Sequence, residues 1–204
     1  MNAAPAVLSA IGVISGTSMD GIDVALIASD GETRVEPGPG ATFAYPREVR
    51  RTLLDVIADP GAAHQPLDDL QRAVTEAHVA AVLAFMEKFA VRRDSVALVG
   101  LHGQTILHRP RERFTRQLCD GARASRLLGL DVVNDFRAAD VAAGGEGAPF
   151  VPLYHAAICA GLERPLVVLN WGGVGNVTYL GADGAINALA GPVSKATIAP
   201  SAPR

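Results

Sequence analysis

Two apolar runs near the start of the chain, Ile11–Ile14 and Val24–Ala28, flank a turn rich in Ser, Gly, Thr and Asp. Apolar runs bounded by such residues predict a β-hairpin. Thr33–Tyr45 predicts a third strand, in which Pro37-Gly-Pro-Gly40 marks a loop or a sheet edge. Pro46–Ala58 predicts a helix: proline suits a first helical position, and Val49, Leu53, Leu54 and Ile57 share one face. Pro60–Pro66 reads as a linker. The clearest helix is Leu67–Ala90. Leu67, Leu70, Val74, Ala77, Ala81, Phe85 and Phe89 recur at helical spacing, and Asp68, Asp69, Arg72 and Glu76 fall largely opposite. A buried strand over Val96–Leu101 follows, then a helix over Asp120–Leu128 ending near Gly129 and a strand beginning at Asp131–Asn134. A helix over Tyr154–Ala160 precedes strands Leu166–Asn170 and Val174–Leu180, joined through Gly172 and Gly173. Hairpin strands first, then strands alternating with helices, predict an α/β fold: a mixed sheet with flanking helices.

Composition narrows the function classes. Of 204 residues, 49% are hydrophobic and 19% charged, which fits a globular protein with a buried core. The net charge is −3 and no basic block occurs, so neither nucleic acid nor an anionic membrane is expected as a partner. The run Pro165–Ala182 lacks charge but is broken by asparagines and glycines, so it predicts no transmembrane helix. The N-terminus has no Lys or Arg ahead of its apolar residues, unlike a signal peptide. Cys119 and Cys159 have neither metal-ligand spacing nor a Cys-x-x-Cys partner, and are expected to be reduced thiols in the cytoplasm. No Gly-x-x-x-x-Gly-Lys-Ser/Thr run exists, which disfavours a P-loop enzyme.

The first turn carries the strongest chemical signal. Gly16 and Gly21 let backbone N–H groups converge, and Thr17 and Ser18 add hydroxyl donors. Such a concavity suits phosphate oxygens. Asp20 and Asp23 are placed to hold Mg²⁺ beside them, because that ion prefers one or two carboxylates plus phosphate and water. The competing reading is a plain Asp-Gly hairpin turn, with Asp23 capping or registering the strands.

Four ordered segments resemble the anhydro-N-acetylmuramic acid kinase family. They are Ile11-Gly-Val-Ile-Ser15-Gly-Thr-Ser-Met-Asp20-Gly-Ile-Asp23, Leu101-His-Gly-Gln-Thr-Ile-Leu-His108, the stretch Val132–Pro149 containing Asn134-Asp-Phe-Arg137 and Gly144-Gly-Glu-Gly147, and Val168-Leu-Asn-Trp-Gly-Gly-Val-Gly-Asn-Val-Thr178. The resemblance spans about residues 11–186. It implies membership of the actin, hexokinase and Hsp70 superfamily. The fold implied is a ribonuclease-H-like mixed sheet with flanking helices, the first half of an actin-like ATPase fold plus the start of the second half. On this reading residues 1–10 are a leader, 11–165 the first half domain, 166–186 the start of the second, and 187–204 a disordered tail. The activity implied is hydrolytic opening of 1,6-anhydro-N-acetylmuramic acid with ATP-dependent phosphorylation of O6. The product, N-acetylmuramic acid 6-phosphate, belongs to peptidoglycan recycling. ATP and Mg²⁺ are the implied cofactors, and a homodimer is the implied assembly of the intact family.

Carried over residue by residue, the resemblance assigns Gly16, Thr17, Ser18, Met19, Asp20, Gly21, Ile22 and Asp23 to the ATP phosphate site. Asp20 and Asp23 are the Mg²⁺ candidates. His102 and Gln104, read as lying just past a strand end, and Asp135 and Arg137, past another, are assigned to the sugar. Each has a plainer reading, as side chains bonded to loop backbone or as a local Asp135–Arg137 salt bridge. His108 is expected to be structural. Gly172, Gly173 and Asn176 match a second glycine-rich turn, with an ordinary hairpin turn as the alternative. Gly144–Pro149 reads as a flexible loop. Glu146 stands where similar kinases carry Gln, Cys119 where they carry Gly in a tight turn, and Trp171 where they carry a smaller aliphatic residue.

After Ile186 the family carries a Gly-Phe-Asp-Thr-Gly-Pro-Gly-Asn type of motif, whose Asp is the general base. Here Asn187-Ala-Leu189 follows directly, and then an Ala- and Pro-rich tail. The catalytic base is therefore unassigned, and the chain resembles a truncated member with an aberrant tail and little or no kinase activity. A non-catalytic nucleotide- or sugar-binding module is the second reading, and a structural domain whose glycines only join strands is the third.

Overall fold

The computed structural model describes residues 5–16, 18–170 and 174–192. The chain divides into two units, Met1–Ala148 and Pro149–Arg204. The first is built on a six-stranded mixed sheet. Strands β1 (Leu8–Ser15), β2 (Ile22–Ser29) and β3 (Val35–Phe43) form an antiparallel meander. Alternation along β1 and β2 explains their pairing: Ile11, Val13, Ser15, Ile22 and Val24 are buried, while Gly12, Ile14, Asp23 and Ala25 face the other way. β1 begins at Leu8, so the last residues of the expected leader belong to the sheet. β3 passes through Pro37 and Pro39 without breaking, because it is an edge strand whose unpaired side tolerates missing N–H groups.

Helices α1 (Arg47–Ala58) and α2 (Asp68–Lys88) follow. Between them the expected linker contains a short 3₁₀ turn, Ala62–His64, with Ala63 fully buried. α2 buries Leu70, Val74, Ala77, Ala81 and Phe85, as its apolar stripe predicts, and adds His78 to that face. Leu53 of α1 and Val74 and Phe85 of α2 share a core with Ile11, Val13, Ile22 and Val24 of the sheet. β4 (Leu98–Arg109) runs parallel to β1 and continues well beyond the expected Leu101. The unexpected strand β5 (Phe114–Leu118) folds back antiparallel on its far half, Gln104–Arg109. α3 (Gly121–Leu128) starts on Asp120, whose carboxylate accepts from Arg123 N at 2.8 Å, and ends at Gly129 in the left-handed region. β6 (Val132–Asn134) pairs in parallel with Val99–Leu101, and the short helix α4 (Phe136–Ala142) follows.

One edge of β4 is therefore shared by β6 along its first half and by β5 along its second. At the join, two steps of β1 (Val13 to Ser15) face three of β4 (Leu101 to Gln104), a β-bulge at His102 and Gly103. Gly103 sits at φ +73°, and a Cβ there would lie 2.6 Å from both Cys119 Cβ and Leu118 O. Only glycine fits that bulge. The Cys119 Cβ occupies the space that a side chain at position 103 would need.

In the second unit, α5 (Val151–Ile158) packs against a three-stranded antiparallel sheet of β7 (Leu166–Asn170), β8 (Val174–Leu180) and β9 (Ile186–Pro192). α5 thus groups with the strands that begin the expected second half. β9 corrects the expectation of disorder over its residues: Asn187 pairs with Tyr179 and Leu189 with Val177, and its glycine and proline are tolerated at a sheet edge. Buried His155 bonds through Nδ1 to Thr178 Oγ1 at 2.9 Å.

Candidate phosphate and sugar site

The turn between β1 and β2 is fixed from below on both sides. Gly16 O accepts from Gln104 Nε2 at 3.4 Å, and Met19 O accepts from Arg50 Nε of α1 at 2.9 Å. Met19 N–H closes the turn on Gly16 O at 3.2 Å. Met19 adopts φ +58° while burying its side chain, an anchored left-handed residue at the turn's centre. A Cβ on Gly21 would lie 2.5 Å from Thr42 Cγ2 and 2.9 Å from Phe43 O, so β3 holds that end against the backbone. Gly16, Ser18 and Asp20 are left exposed, whereas Met19, Gly21 and Ile22 are buried supports of the turn. Thr17 lies outside the described residues.

Beneath Gly16 is a buried polar network that the sequence reading did not single out. Tyr45 O–H donates to Ser15 Oγ at 2.7 Å, and Ser15 Oγ lies 3.1 Å from His78 Nε2. His78 Nδ1 is 2.8 Å from Val74 O. A carbonyl only accepts, so Nδ1 carries the proton and Nε2 accepts from Ser15. Burial pushes the His78 imidazole down to about 4 and the Tyr45 hydroxyl up to about 12. Tyr45 also packs edge-on to the His78 ring, with centroids 5.8 Å apart. Gln104, which the resemblance assigns to the sugar, belongs to this network. It is fully buried, bonded to Gly16 O and Thr105 O, with Tyr45 O–H 3.3 Å from its Oε1. Gln104 props the turn from inside, because the bulge at His102–Gly103 turns it under the hairpin.

His102 and Arg137 do meet. Arg137 Nε donates to His102 Nε2 at 2.8 Å, while His102 Nδ1 donates to Gly103 O at 2.9 Å. Burial holds the His102 pKa below its ordinary value, the Gly103 carbonyl opposes this, and the Arg137 charge adds to the lowering. Arg137 thus bridges β4 to α4, and no Asp135–Arg137 ion pair occurs among the described residues. Asp135 is exposed at the N-terminus of α4 with φ +59°, a strained setting for a non-glycine residue at the end of β6. His108 bonds Thr115 Oγ1 at 2.9 Å across β4 and β5. Asp140 accepts from Gly147 N at 2.7 Å and Gly145 N bonds back to Asp140 O at 2.8 Å, so the glycine loop expected to be flexible is tied down. Glu146 is exposed and its charge acts on His108.

Asp23 points away from the α1–α2 core, and its Oδ1 accepts from Thr42 Oγ1 at 2.6 Å. Asp20 is exposed at the turn's tip. Two exposed carboxylates flanking one turn are the donor set Mg²⁺ takes together with phosphate and water, so these residues fit that ion. In the second unit, Gly172 and Gly173 lie outside the described residues. Asn176 is half-buried within β8, opposite Asn170 and Ala190.

The first unit is thus an α/β body, a mixed sheet with flanking helices that opens with a hairpin whose turn is braced by α1 and β4. The chain belongs to the anhydro-N-acetylmuramic acid kinase family, whose model matches residues 8–194. That match runs past Ile186, so the segment forming β9 lies within the family match rather than off it. The anhydro-N-acetylmuramic acid kinase of Paramagnetospirillum magneticum is 49% identical over 177 residues, covering 87% of this chain and 49% of its own length. The Rhodospirillum rubrum enzyme of that name is 49% identical over 173 residues, covering 84% and 45%. The one from Nitrobacter winogradskyi is 45% identical over 194 residues, covering 91% and 53%. The chain spans about half the length of the curated relatives it matches.

Proposed function

We propose that this chain supplies the phosphate-binding half of an ATP-dependent kinase. That kinase opens 1,6-anhydro-N-acetylmuramic acid with water and phosphorylates the freed O6, giving N-acetylmuramic acid 6-phosphate for peptidoglycan recycling in the cytoplasm. The carrying observation is the hairpin turn. It is held at its first end by Gln104 and at its centre by Arg50, so its exposed face is set before a ligand arrives. Phosphoryl transfer depends chiefly on positioning and electrostatic stabilisation, and a turn pinned at Gly16 O and Met19 O loses little freedom on meeting phosphate oxygens. Asp20 and Asp23 would hold Mg²⁺, which screens phosphate charge when bound. His102, Asp135 and Arg137, gathered where β6 gives way to β5, form the sugar side. Arg137 is fixed by His102 and offers its remaining N–H groups to sugar oxygens.

The partners of this reading are Mg-ATP and the sugar. No helix among the described residues is long and apolar enough to cross a membrane. Both cysteines are free, in keeping with a reducing compartment. A homodimer is the assembly proposed for the intact kinase. These 204 residues alone are proposed to bind without turnover, since no catalytic base is assigned among them and a positioned base typically contributes 10²–10⁴-fold. Equilibrium binding of Mg-ATP and of 1,6-anhydro-N-acetylmuramic acid, run beside an ADP-release assay, tests this. Binding with background ADP release is expected. Sugar-stimulated ADP release would overturn the absence of turnover, and a folded chain that ignores Mg-ATP would overturn the phosphate-site reading.

A further inference from the structure

The phosphate side and the sugar side of the first unit meet at one backbone atom. Ser15 closes β1 and directly precedes Gly16 of the turn, and its side chain is buried. Its hydroxyl accepts from Tyr45 and has one proton to give. Two acceptors lie within reach of that proton: His78 Nε2 at 3.1 Å and Gly103 O at 3.3 Å. Sharing one hydrogen between two acceptors is a common arrangement in proteins, and here it ties Ser15 to both.

Gly103 O has a second lone pair, which takes the proton of His102 Nδ1 at 2.9 Å. Through its other nitrogen the same ring accepts from Arg137 Nε at 2.8 Å. One run of hydrogen bonds therefore leads from the end of β1 to the guanidinium offered to the sugar: Ser15, Gly103 O, His102, Arg137. The β-bulge makes the run possible. It sets His102 and Gly103 between the pairs Val13–Leu101 and Ser15–Gln104, and the left-handed φ of Gly103 lets its carbonyl face both donors. The imidazoles flanking this carbonyl are within electrostatic reach of each other. Burial chiefly holds the His78 pKa down, the Val74 carbonyl opposes this, and the His102 charge adds to the lowering.

We propose that Ser15 is a positioning residue for both ligands: its hydroxyl steadies the Gly103 carbonyl, that carbonyl orients the His102 ring, and the ring fixes Arg137, so that sugar and Mg-ATP bind with positive cooperativity. This rests on the reading that the β1–β2 turn takes the phosphates and that Arg137 faces the sugar. At 2% exposure Ser15 touches neither ligand. A sugar that holds Arg137 stiffens the run up to Ser15, and phosphates on the turn stiffen it from the other end. Whichever ligand binds second has less freedom left to lose.

The test is Mg-ATP affinity of the 204-residue chain, measured by calorimetry with and without saturating 1,6-anhydro-N-acetylmuramic acid, and sugar affinity with and without Mg-ATP. Wild type is compared with Ser15→Ala and Tyr45→Phe. In the wild type each ligand should tighten the other about fivefold, by the same factor in both directions. Ser15→Ala should lower that factor to about one and move the His102 ring nitrogen signals in NMR. Tyr45→Phe disturbs the same hydroxyl from its other side but keeps its bond to Gly103 O, and should keep the factor. Should Ser15→Ala fail to fold, the wild type decides: sugar alone should move the Ser15 and Gly16 amides and the His78 ring signals. Independent binding in the wild type, a factor that survives Ser15→Ala, a factor lost equally in Tyr45→Phe, or those signals unmoved by bound sugar overturns the proposal and leaves the kinase reading standing. A folded wild-type chain that binds only one of the two ligands overturns the proposal together with the half of that reading that concerns the other.

Discussion

Acid should unfasten the network under the phosphate turn, and His78 sets where this happens. Its imidazole is buried against Tyr45 and Ser15, with its pKa pushed from the ordinary 6.5 down to about 4. The unfolded chain takes up that proton near pH 6.5, whereas the folded chain resists it until about pH 4. Between those values the unfolded state binds more protons, so stability falls as pH falls; the contribution is intact above pH 6.5 and spent by pH 4. At about 1.4 kcal/mol per pH unit the loss is roughly 3 kcal/mol, a large part of the 5–15 kcal/mol that holds a typical domain together. Urea melts of wild type and His78→Leu across pH 4–7 measure it. The variant should be less stable at pH 7, having emptied the acceptor of Ser15, yet should lose less on acidification. His108 is also held below its ordinary value but is common to both proteins and drops out of the difference, whereas His102, whose charge adds to the lowering at His78, leaves a smaller part in it. An NMR titration of the His78 ring near pH 6.5, or equal acid sensitivity of the two proteins, would refute the reasoning.

Other perturbations act on the turn and the sugar side. Gly21→Ala should cost about 1–3 kcal/mol in a thermal melt and abolish Mg-ATP binding, because its Cβ meets the Phe43 carbonyl and Thr42. Arg50→Ala removes the donor to Met19 O and should weaken Mg-ATP about tenfold while shifting stability by only about 1 kcal/mol, read by calorimetry. Asp23→Asn keeps an acceptor for Thr42 and should leave the fold intact while removing the Mg²⁺ dependence of ATP binding. Sugar affinity should fall on acidification below the usual histidine range, since protonated His102 no longer accepts from Arg137; an Arg137→Leu protein should bind weakly at every pH.

What the sequence disclosed was local. The hairpin, α2 and the α3 caps were legible because their signals lie within a few residues: alternation, a helical stripe, Asp120 and Gly129. β5 was not, since Phe114-Thr-Arg-Gln-Leu118 is short and polar and becomes a strand only by pairing with an extended β4. That pairing also decides Gln104. As a residue past a strand end it reads as a ligand contact, but inside a bulged strand it turns under the hairpin. His78 was visible within the apolar stripe of α2, and a histidine four residues after Val74 on a buried face is the one signal that pointed to a polar network below. β9 was hidden because Ala, Gly and Pro composition resembles a loose tail, while an edge strand accepts the same residues.

The central claim is that the β1–β2 turn is where ATP phosphates bind, and backbone amide shifts on titration with Mg-ATP test it most directly. The account predicts that the largest changes fall on residues 16–23, with Gln104 and Arg50 following as the turn tightens, and that the changes vanish in Gly21→Ala. Shifts confined to other parts of the chain, or a folded protein whose turn amides do not move at saturating Mg-ATP, would contradict it.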